Sequence, residues 1–324
     1  MIILTYILIT ILVIGIILVL KKTKTKKEVY EQPERNVRKI IRFGDKAGFI
    51  GLMEYSPNEN FCVYYSDGHY EKSNWKLGNL ALFENEELIF KKQIERPNNC
   101  KVNNNGTIIC CDWLNSETFE GNFISFDKIG NEIYSKKTKA NLGLCSISEN
   151  SDFSIFETYS SDNEDSNKIF LVNISTKETR KFDRPISFTS SYINLEKETI
   201  ILTDRNNCKM EINFNGQEIN SNYKTQLKEK NLLNELLLYY EKIPDKTKFK
   251  DSDYLNALTQ AVEGVHKTYS FGFDKIYRKI GEFHEERNEI QKTIFYWEKA
   301  IKLNSKVGIK RKLEIYKKTV ANNS

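Results

Sequence analysis

The sequence predicts a multidomain chain: an N-terminal transmembrane helix, an all-β domain of repeated units, and an all-α C-terminal domain. Three observations predict it. Ile2 to Leu20 runs for 19 residues without a charge. A polar turn followed by an apolar strand recurs every 46 residues through the middle of the chain. After Ile219 the hydrophobic period changes from two to near 3.6. The expected segments are 1–20, a basic linker 21–39, the β domain 40–220 and the helical domain 221–324.

Composition agrees with separate modules. The 324 residues suffice for two ordinary domains, and 15 Gly, 5 Pro and 29% charged residues exclude collagen-like and bulk-disordered classes. The net charge of +5 is unevenly spread: 28–220 carry 23 Lys and Arg against 30 Asp and Glu, whereas 221–324 carry 21 against 14.

The first segment has the length of a bilayer span. At about 1.5 Å per residue it covers roughly 29 Å, and its Ile, Leu and Val favour insertion by roughly 5–9 kcal/mol. A cleaved signal would want a basic start and a shorter core. Lys21, Lys22, Lys24, Lys26 and Lys27 follow the span, so the positive-inside rule leaves the rest of the chain cytoplasmic at the inner membrane. The same lysines would rest on anionic headgroups. Cys62, Cys100, Cys110, Cys111, Cys145 and Cys208 form no CxxC pair and read as reduced core residues, although an exported protein with disulfides stays open.

The repeat begins at Phe61-Cys62-Val63-Tyr64-Tyr65 and returns as Thr107-Ile108-Ile109-Cys110-Cys111, Phe153-Ser154-Ile155-Phe156-Glu157 and Thr199-Ile200-Ile201-Leu202-Thr203. Each run is rich in β-branched and aromatic residues and reads as a buried strand. A second strand repeats at Phe123–Phe126 and Ile169–Val172, with shorter or degenerate copies at Ile212 and Leu80. Asp67-Gly68, Gly130-Asn131 and Asn215-Gly216 supply tight turns. Units of this length with about four short strands make propeller blades. The polar turn and apolar strand resemble the inner strands of WD-repeat-like propellers, without a Trp-Asp or Gly-His pair at the expected places. Four blades could close a ring, could hide a divergent fifth, or could form an open fan capped by the helices; a β-sandwich is the alternative fold.

In the helical domain, Leu232, Leu233, Leu236, Leu237 and Tyr240 form one apolar face, stopped by Pro244. Asp251 or Ser252 can cap the next helix, which carries Leu255, Leu258, Val262 and Val265. Residues 274–304 make a helical hairpin with Ile276, Ile280 and Phe283 on its first helix and Ile290, Ile294, Trp297 and Ile301 on its second. Gly281, Thr293, Trp297 and Ala300 stand where a tetratricopeptide repeat places its small, small, aromatic and alanine residues, and the hairpin resembles that family. The resemblance implies a capping helix from Lys306 to Lys318, with Val307, Ile309, Leu313 and Ile315 to cover the last pair. It also implies a partner-binding groove along the first helix, where Lys275, Arg278, Lys279 and Glu282 stand. The acidic neighbours Glu282, Glu285 and Glu286 fit a carboxylate clamp poorly and a mixed-charge or helical partner better. The alternative for these cations is a solvated face paired at i,i+3 and i,i+4.

Nothing announces catalysis. His69, His266 and His284 lie in separate elements. His284-Glu285-Glu286-Arg287 begins like a zinc-protease helix, but Asn288 stands at the second ligand position. No phosphate loop, dinucleotide fingerprint or nucleophile elbow occurs. Asp162-Asn163-Glu164-Asp165 lacks the Gly of a calcium loop. No cofactor and no metal are expected. The basic cluster Lys310-Arg311-Lys312 lacks interleaved aromatics, so no nucleic acid is expected. The sequence therefore predicts a membrane-anchored, non-catalytic scaffold or adaptor with protein partners. The alternative is a ligand-sensing or inhibitory membrane protein that binds a small ligand or an incoming toxin through its β face.

Overall fold

A computed structural model of the chain describes residues 40–43, 47–71, 73–114, 119–150, 152–220, 222–243, 245–263 and 272–323. Residues 41–324 form one compact body. The expected transmembrane helix at 1–20, and the headgroup-facing Lys21, Lys22, Lys24, Lys26 and Lys27, lie outside the described residues. Among the described residues no helix is long and apolar enough to cross a membrane. The longest have 14 residues, about 21 Å at 1.5 Å per residue, against a hydrocarbon core of about 30 Å. The single-pass, inner-membrane part of the expected fold class and localisation is corrected accordingly.

The β part is propeller-like: consecutive antiparallel sheets, each a meander in chain order. The first contains β1 (Ile40–Phe43), β2 (Phe49–Tyr55), β3 (Phe61–Ser66), then an inserted hairpin of β4 (His69–Glu71) and β5 (Asn74–Lys76), then β6 (Gly78–Glu84) and β7 (Glu87–Ile94). The second contains β8 (Pro97–Val102), β9 (Ile108–Asp112), β10 (Gly121–Phe126) and β11 (Glu132–Thr138). The third contains β12 (Leu142–Ile147), β13 (Phe153–Thr158), β14 (Lys168–Asn173) and β15 (Glu178–Asp183). The fourth has three strands, β16 (Ser190–Asn194), β17 (Thr199–Thr203) and β18 (Lys209–Asn213).

The 46-residue repeat falls on β3, β9, β13 and β17. β3, β9 and β13 read as nearly continuous buried runs because both of their faces are covered, whereas Ile201 and Thr203 of β17 are only half-buried. Cys110 points into the cluster shared with the first sheet, beside Val63 and Leu82, while its neighbour Cys111 points into the cluster shared with the third, beside Phe156 and Phe170. All six cysteines are free and buried. On that second interface Phe123, Phe156 and Phe170 stack with centroids 4.4 and 4.6 Å apart.

Polar side chains fix the stacking. Asn58 N donates to Asn104 Oδ1 at 2.9 Å, and Asn104 Nδ2 donates to Asn150 Oδ1 at 2.9 Å. The three asparagines occupy equivalent turns, 46 residues apart, so the Asn104 and Asn150 side chains tie three sheets at the starts of β3, β9 and β13. At the hairpin of β10 and β11, Gly130 holds φ at 90°. A Cβ there would lie 2.9 Å from the Phe90 ring of the preceding sheet, so the turn needs Gly for its backbone angle and for the ring beneath it.

The fourth sheet ends the row. On β14, Ile169 and Leu171 pair with Glu157 and Ile155, and Ile169, Leu171 and Ile155 pack toward the fourth sheet. The same register on β18 puts Lys209 and Glu211 opposite Thr203 and Ile201. That outer face is half-exposed and mixed, with Tyr192 and Ile201 set among Ser190, Thr203, Lys209 and Glu211, and no further sheet covers it among the described residues. Among the described residues no buried cluster joins the first sheet to the fourth. Of the arrangements open to the sequence, these observations fit the open fan.

Helices continue from the edge of β18. In α1 (Asn222–Glu229), Gln226 accepts from Lys209 N and donates to Lys209 O, both at 2.9 Å, so its amide serves the edge strand as a neighbouring strand would. Then come α2 (Leu233–Glu241), α3 (Asp245–Lys248), α4 (Ser252–Glu263), α5 (Phe273–Glu285), α6 (Ile290–Leu303) and α7 (Lys310–Asn323). Leu236, Leu237 and Tyr240 of α2 share one cluster with Leu202 and Met210 of the fourth sheet and with Ile276, Ile280 and Phe283 of α5. Asp251 organises the junction. Its Oδ1 accepts from Asp253 N at 2.9 Å and caps α4, while Oδ2 accepts from Tyr240 OH at 2.8 Å and Lys224 Nζ at 3.0 Å. Burial pushes this carboxyl up, but those three donors outweigh it and hold it below its ordinary value.

Candidate functional site

The groove begins with α5, whose register is set by one small residue. Ile276, Ile280 and Phe283 are buried on one face, and Gly281 is buried beside them. A Cβ on Gly281 would lie 2.2 Å from Trp297 Cδ1, so α6 approaches α5 across a position that only Gly fits. Trp297, Thr293 and Ala300 of α6 are fully buried, and Trp297 Nε1 donates to Arg278 O at 3.2 Å. The four residues behind the repeat resemblance thus meet at one helix contact. Val307, Ile309 and Leu313 cover Trp297 and Ala300 from the other side, but Ile315, expected among them, is 57% exposed. It falls on the outer side of α7, two residues from Leu313, where a helix faces away from its buried stripe.

Along α5, against the start of α7, runs a groove of ≈ 810 Å³. Lys275, Arg278, Lys279 and Glu282 all line it, yet they differ in what they are free to do. Arg278 Nε donates to Glu282 Oε1 at 2.7 Å and Nη1 to Val307 O at 2.9 Å, so this side chain ties α5 to the loop before α7. Lys279 pairs with Glu241 of α2 at 2.6 Å, a partner 38 residues earlier. Lys275 is exposed and has no ion-pair partner among the described residues. The i,i+4 pairing expected of the helix holds for Arg278 and Glu282 alone.

The groove's acids are similarly divided. Glu285 accepts from Lys312 at 2.6 Å and from Tyr316 OH at 2.7 Å. That bond, with burial and the Glu285 charge, pushes the Tyr316 phenol up to about 12. Asp274 accepts from Asn304 Nδ2 at 2.7 Å. Lys275, Lys306 and Glu286 remain as charges on the groove without ion-pair partners among the described residues.

Other candidates resolve into structural roles. His284 is buried, stacks on Tyr296 at 5.4 Å between centroids and bonds Glu289 Oε2 through Nδ1 at 2.9 Å. Burial pushes its imidazole below the ordinary value, against the opposing pull of the Glu289 carboxylate. His69 is exposed on β4, and His266 lies outside the described residues. The acidic loop is held by Lys139 and Lys181 through Glu164 and Asp165, at 2.8 and 3.3 Å. Among the described residues no group of three or more His, Cys, Asp or Glu could hold a metal ion.

A second cavity, of ≈ 510 Å³, lies between the fourth sheet and α2. Ile186, Phe188, Leu238 and Tyr239 give it an apolar floor, and Arg205 and Glu235 pair at its mouth at 2.6 Å. No sequence pattern marks it, because Pro185–Thr189 is a connection without periodicity.

No family model matches the chain, and no curated protein matches it. Among solved structures it is similar to the crystal structure of HIRA(644-1017), at 7% identity over 83% of this chain and 92% of that one, with a TM-score of 0.39. It is also similar to the crystal structure of the mitotic checkpoint complex, at 10% identity over 52% of this chain and 68% of that one, with a TM-score of 0.28. At such scores the fold rests on the sheets and helices themselves.

Proposed function

We propose that this chain is a non-catalytic protein-interaction scaffold whose tetratricopeptide-like helices receive a segment of a partner protein along α5. One observation carries the reading. The groove is large enough for a helix or an extended peptide, and its internal ion pairs leave Lys275, Lys306 and Glu286 available to a partner of mixed charge. Lys275 is then the recognition residue, while Arg278, Lys279 and Glu282 shape the groove. The segments 40–220 and 221–324 serve as array and receptor in this reading.

The test compares proteins that crosslink to the full chain, to a version ending at Asn220, and to the double variant Lys275→Glu, Lys306→Glu. A partner lost from both altered chains supports the groove. Equal recovery by all three sinks it.

One observation favours a second reading, ligand binding on the β side. The cavity of ≈ 510 Å³ beside the fourth sheet has the size and apolar lining of a small-molecule site.

A further inference from the structure

The 46-residue period reaches beyond the strands. Asp67, Trp113, Tyr159 and Arg205 stand 46 residues apart, each within two residues of the end of β3, β9, β13 or β17. The asparagine ladder closes the other ends of the first three of those strands with small amide side chains, Asn104 accepting from the Asn58 backbone and donating to Asn150. These ends instead carry large rings and charges.

The row is continuous across the first three sheets. The Arg96 guanidinium lies 5.8 Å from the Trp75 centroid and 5.7 Å from that of Trp113, and pairs with Asp67 at 3.2 Å. Trp113 meets Tyr159 edge to face at 6.2 Å. Its indole is fixed by donating Nε1–H to Leu142 O at 2.6 Å, and Asp112 pins the Arg96 and Leu114 amides at 2.7 and 3.1 Å. Tyr159 nevertheless stays 43% exposed. At the fourth sheet the series arrives at Arg205, on the wall of the apolar cavity beside Phe188 and Leu238.

On the same strand ends, Arg96, Lys139 and Lys181 are each neutralised by an internal carboxylate. Glu95, Glu120 and Asp162 have no ion-pair partner among the described residues. Lys136 and Lys137, near the same end of β11, are likewise without ion-pair partners among the described residues, so the row is aromatic with three unmatched carboxylates against two unmatched lysines.

We propose that this row docks an extended, arginine- or lysine-bearing segment of a partner protein, its cations lying against Trp113 and Tyr159 and facing Glu120 and Asp162. Cations are drawn to aromatic faces and to unmatched carboxylates alike. A nucleic-acid backbone would meet those carboxylates unfavourably. Packed sheets lie about 10 Å apart, so a track from the first sheet to the fourth runs roughly 30 Å, the reach of about nine extended residues. This surface is distinct from the α5 groove and does not depend on it.

The full chain is titrated with a labelled synthetic peptide of about nine residues in which Arg alternates with Gly and Ser. The same peptide with Glu for Arg, and a short oligothymidylate, are titrated beside it. The arginine peptide is expected to bind at least about tenfold more tightly than the glutamate peptide, and to weaken as salt is raised. The double variant Glu120→Lys, Asp162→Lys removes two surface carboxylates without ion-pair partners and should weaken it about tenfold or more; Tyr159→Ala should weaken it independently. Equal binding of the glutamate peptide overturns the proposal, as does indifference to the double charge reversal or tighter binding of oligothymidylate. Loss of peptide binding in the variant Lys275→Glu, Lys306→Glu alone would put the peptide in the α5 groove and overturn the rim.

Discussion

The β sheets and the helices solve the same problem, joining similar units side by side, with different chemistry. Between sheets, equivalent positions bond to each other: Asn58 to Asn104 to Asn150, one residue type repeated. Between helices each contact is singular. Gly281 exists for Trp297, and Asp251 for Tyr240, Lys224 and the amide that starts α4. A repeated bond spreads the register over many weak ties, whereas a singular contact concentrates it in one residue. Yet one buried cluster runs from Ile155 through Met210 to Phe283, so the two regions share a core.

The largest expected effects test whether that shared core makes them one cooperative unit. Trp297→Ala and Phe156→Ala each empty a fully buried site and should cost about 3–5 kcal/mol. If the regions unfold together, both variants lower a single urea midpoint followed by circular dichroism. Two separated transitions, each moved by one variant only, would break the comparison into independent domains.

Smaller changes sharpen it. Gly281→Ala drives a methyl into Trp297 and should cost about 1–3 kcal/mol despite the better helix propensity of Ala, read as a lowered melting temperature. Asp251→Ala removes a cap and two side-chain partners at once, for about 1–3 kcal/mol. Since that carboxyl is held below its ordinary value, its contribution is present above the usual carboxylate range and is lost on acidification; the variant should flatten the acid limb of stability. Asn104→Ala, by contrast, should cost only about 1 kcal/mol, because its ties are exposed and shared with neighbours.

The smallest effect is a slope. His284 is held below its ordinary value near 6.5, chiefly by burial, so below that pH the unfolded chain takes up the proton more readily. Stability should therefore fall as pH drops through about 6.5. His284→Gln should remove that part of the pH dependence, read by calorimetry across this range.

What was legible in the sequence follows the same division. The strands beginning at Phe61, Ile108, Phe153 and Thr199 could be read because largely apolar runs, buried on both faces in the first three, return at a fixed period. The Gly281–Trp297 contact was readable because its residues sit at fixed helical spacings. Lys279 was not: its partner Glu241 belongs to another helix, and no local spacing announces a tertiary ion pair. The end of the row was hidden for a related reason. Lys209 and Glu211 reveal a half-exposed outer face only once their register against Thr203 and Ile201 is known. The aromatic rim needed one more step, extending the period to the first residues beyond each strand.

The half-exposed outer face of the fourth sheet bears on how such a chain can change over generations. A closed ring fixes its number of members, since adding or losing one strains every joint. An open row has no such arithmetic. Duplication or loss of one internal 46-residue unit would preserve both termini of the stack and lengthen or shorten the rim by one sheet. Length itself becomes an inheritable variable, with the helical receptor carried along unchanged at its end.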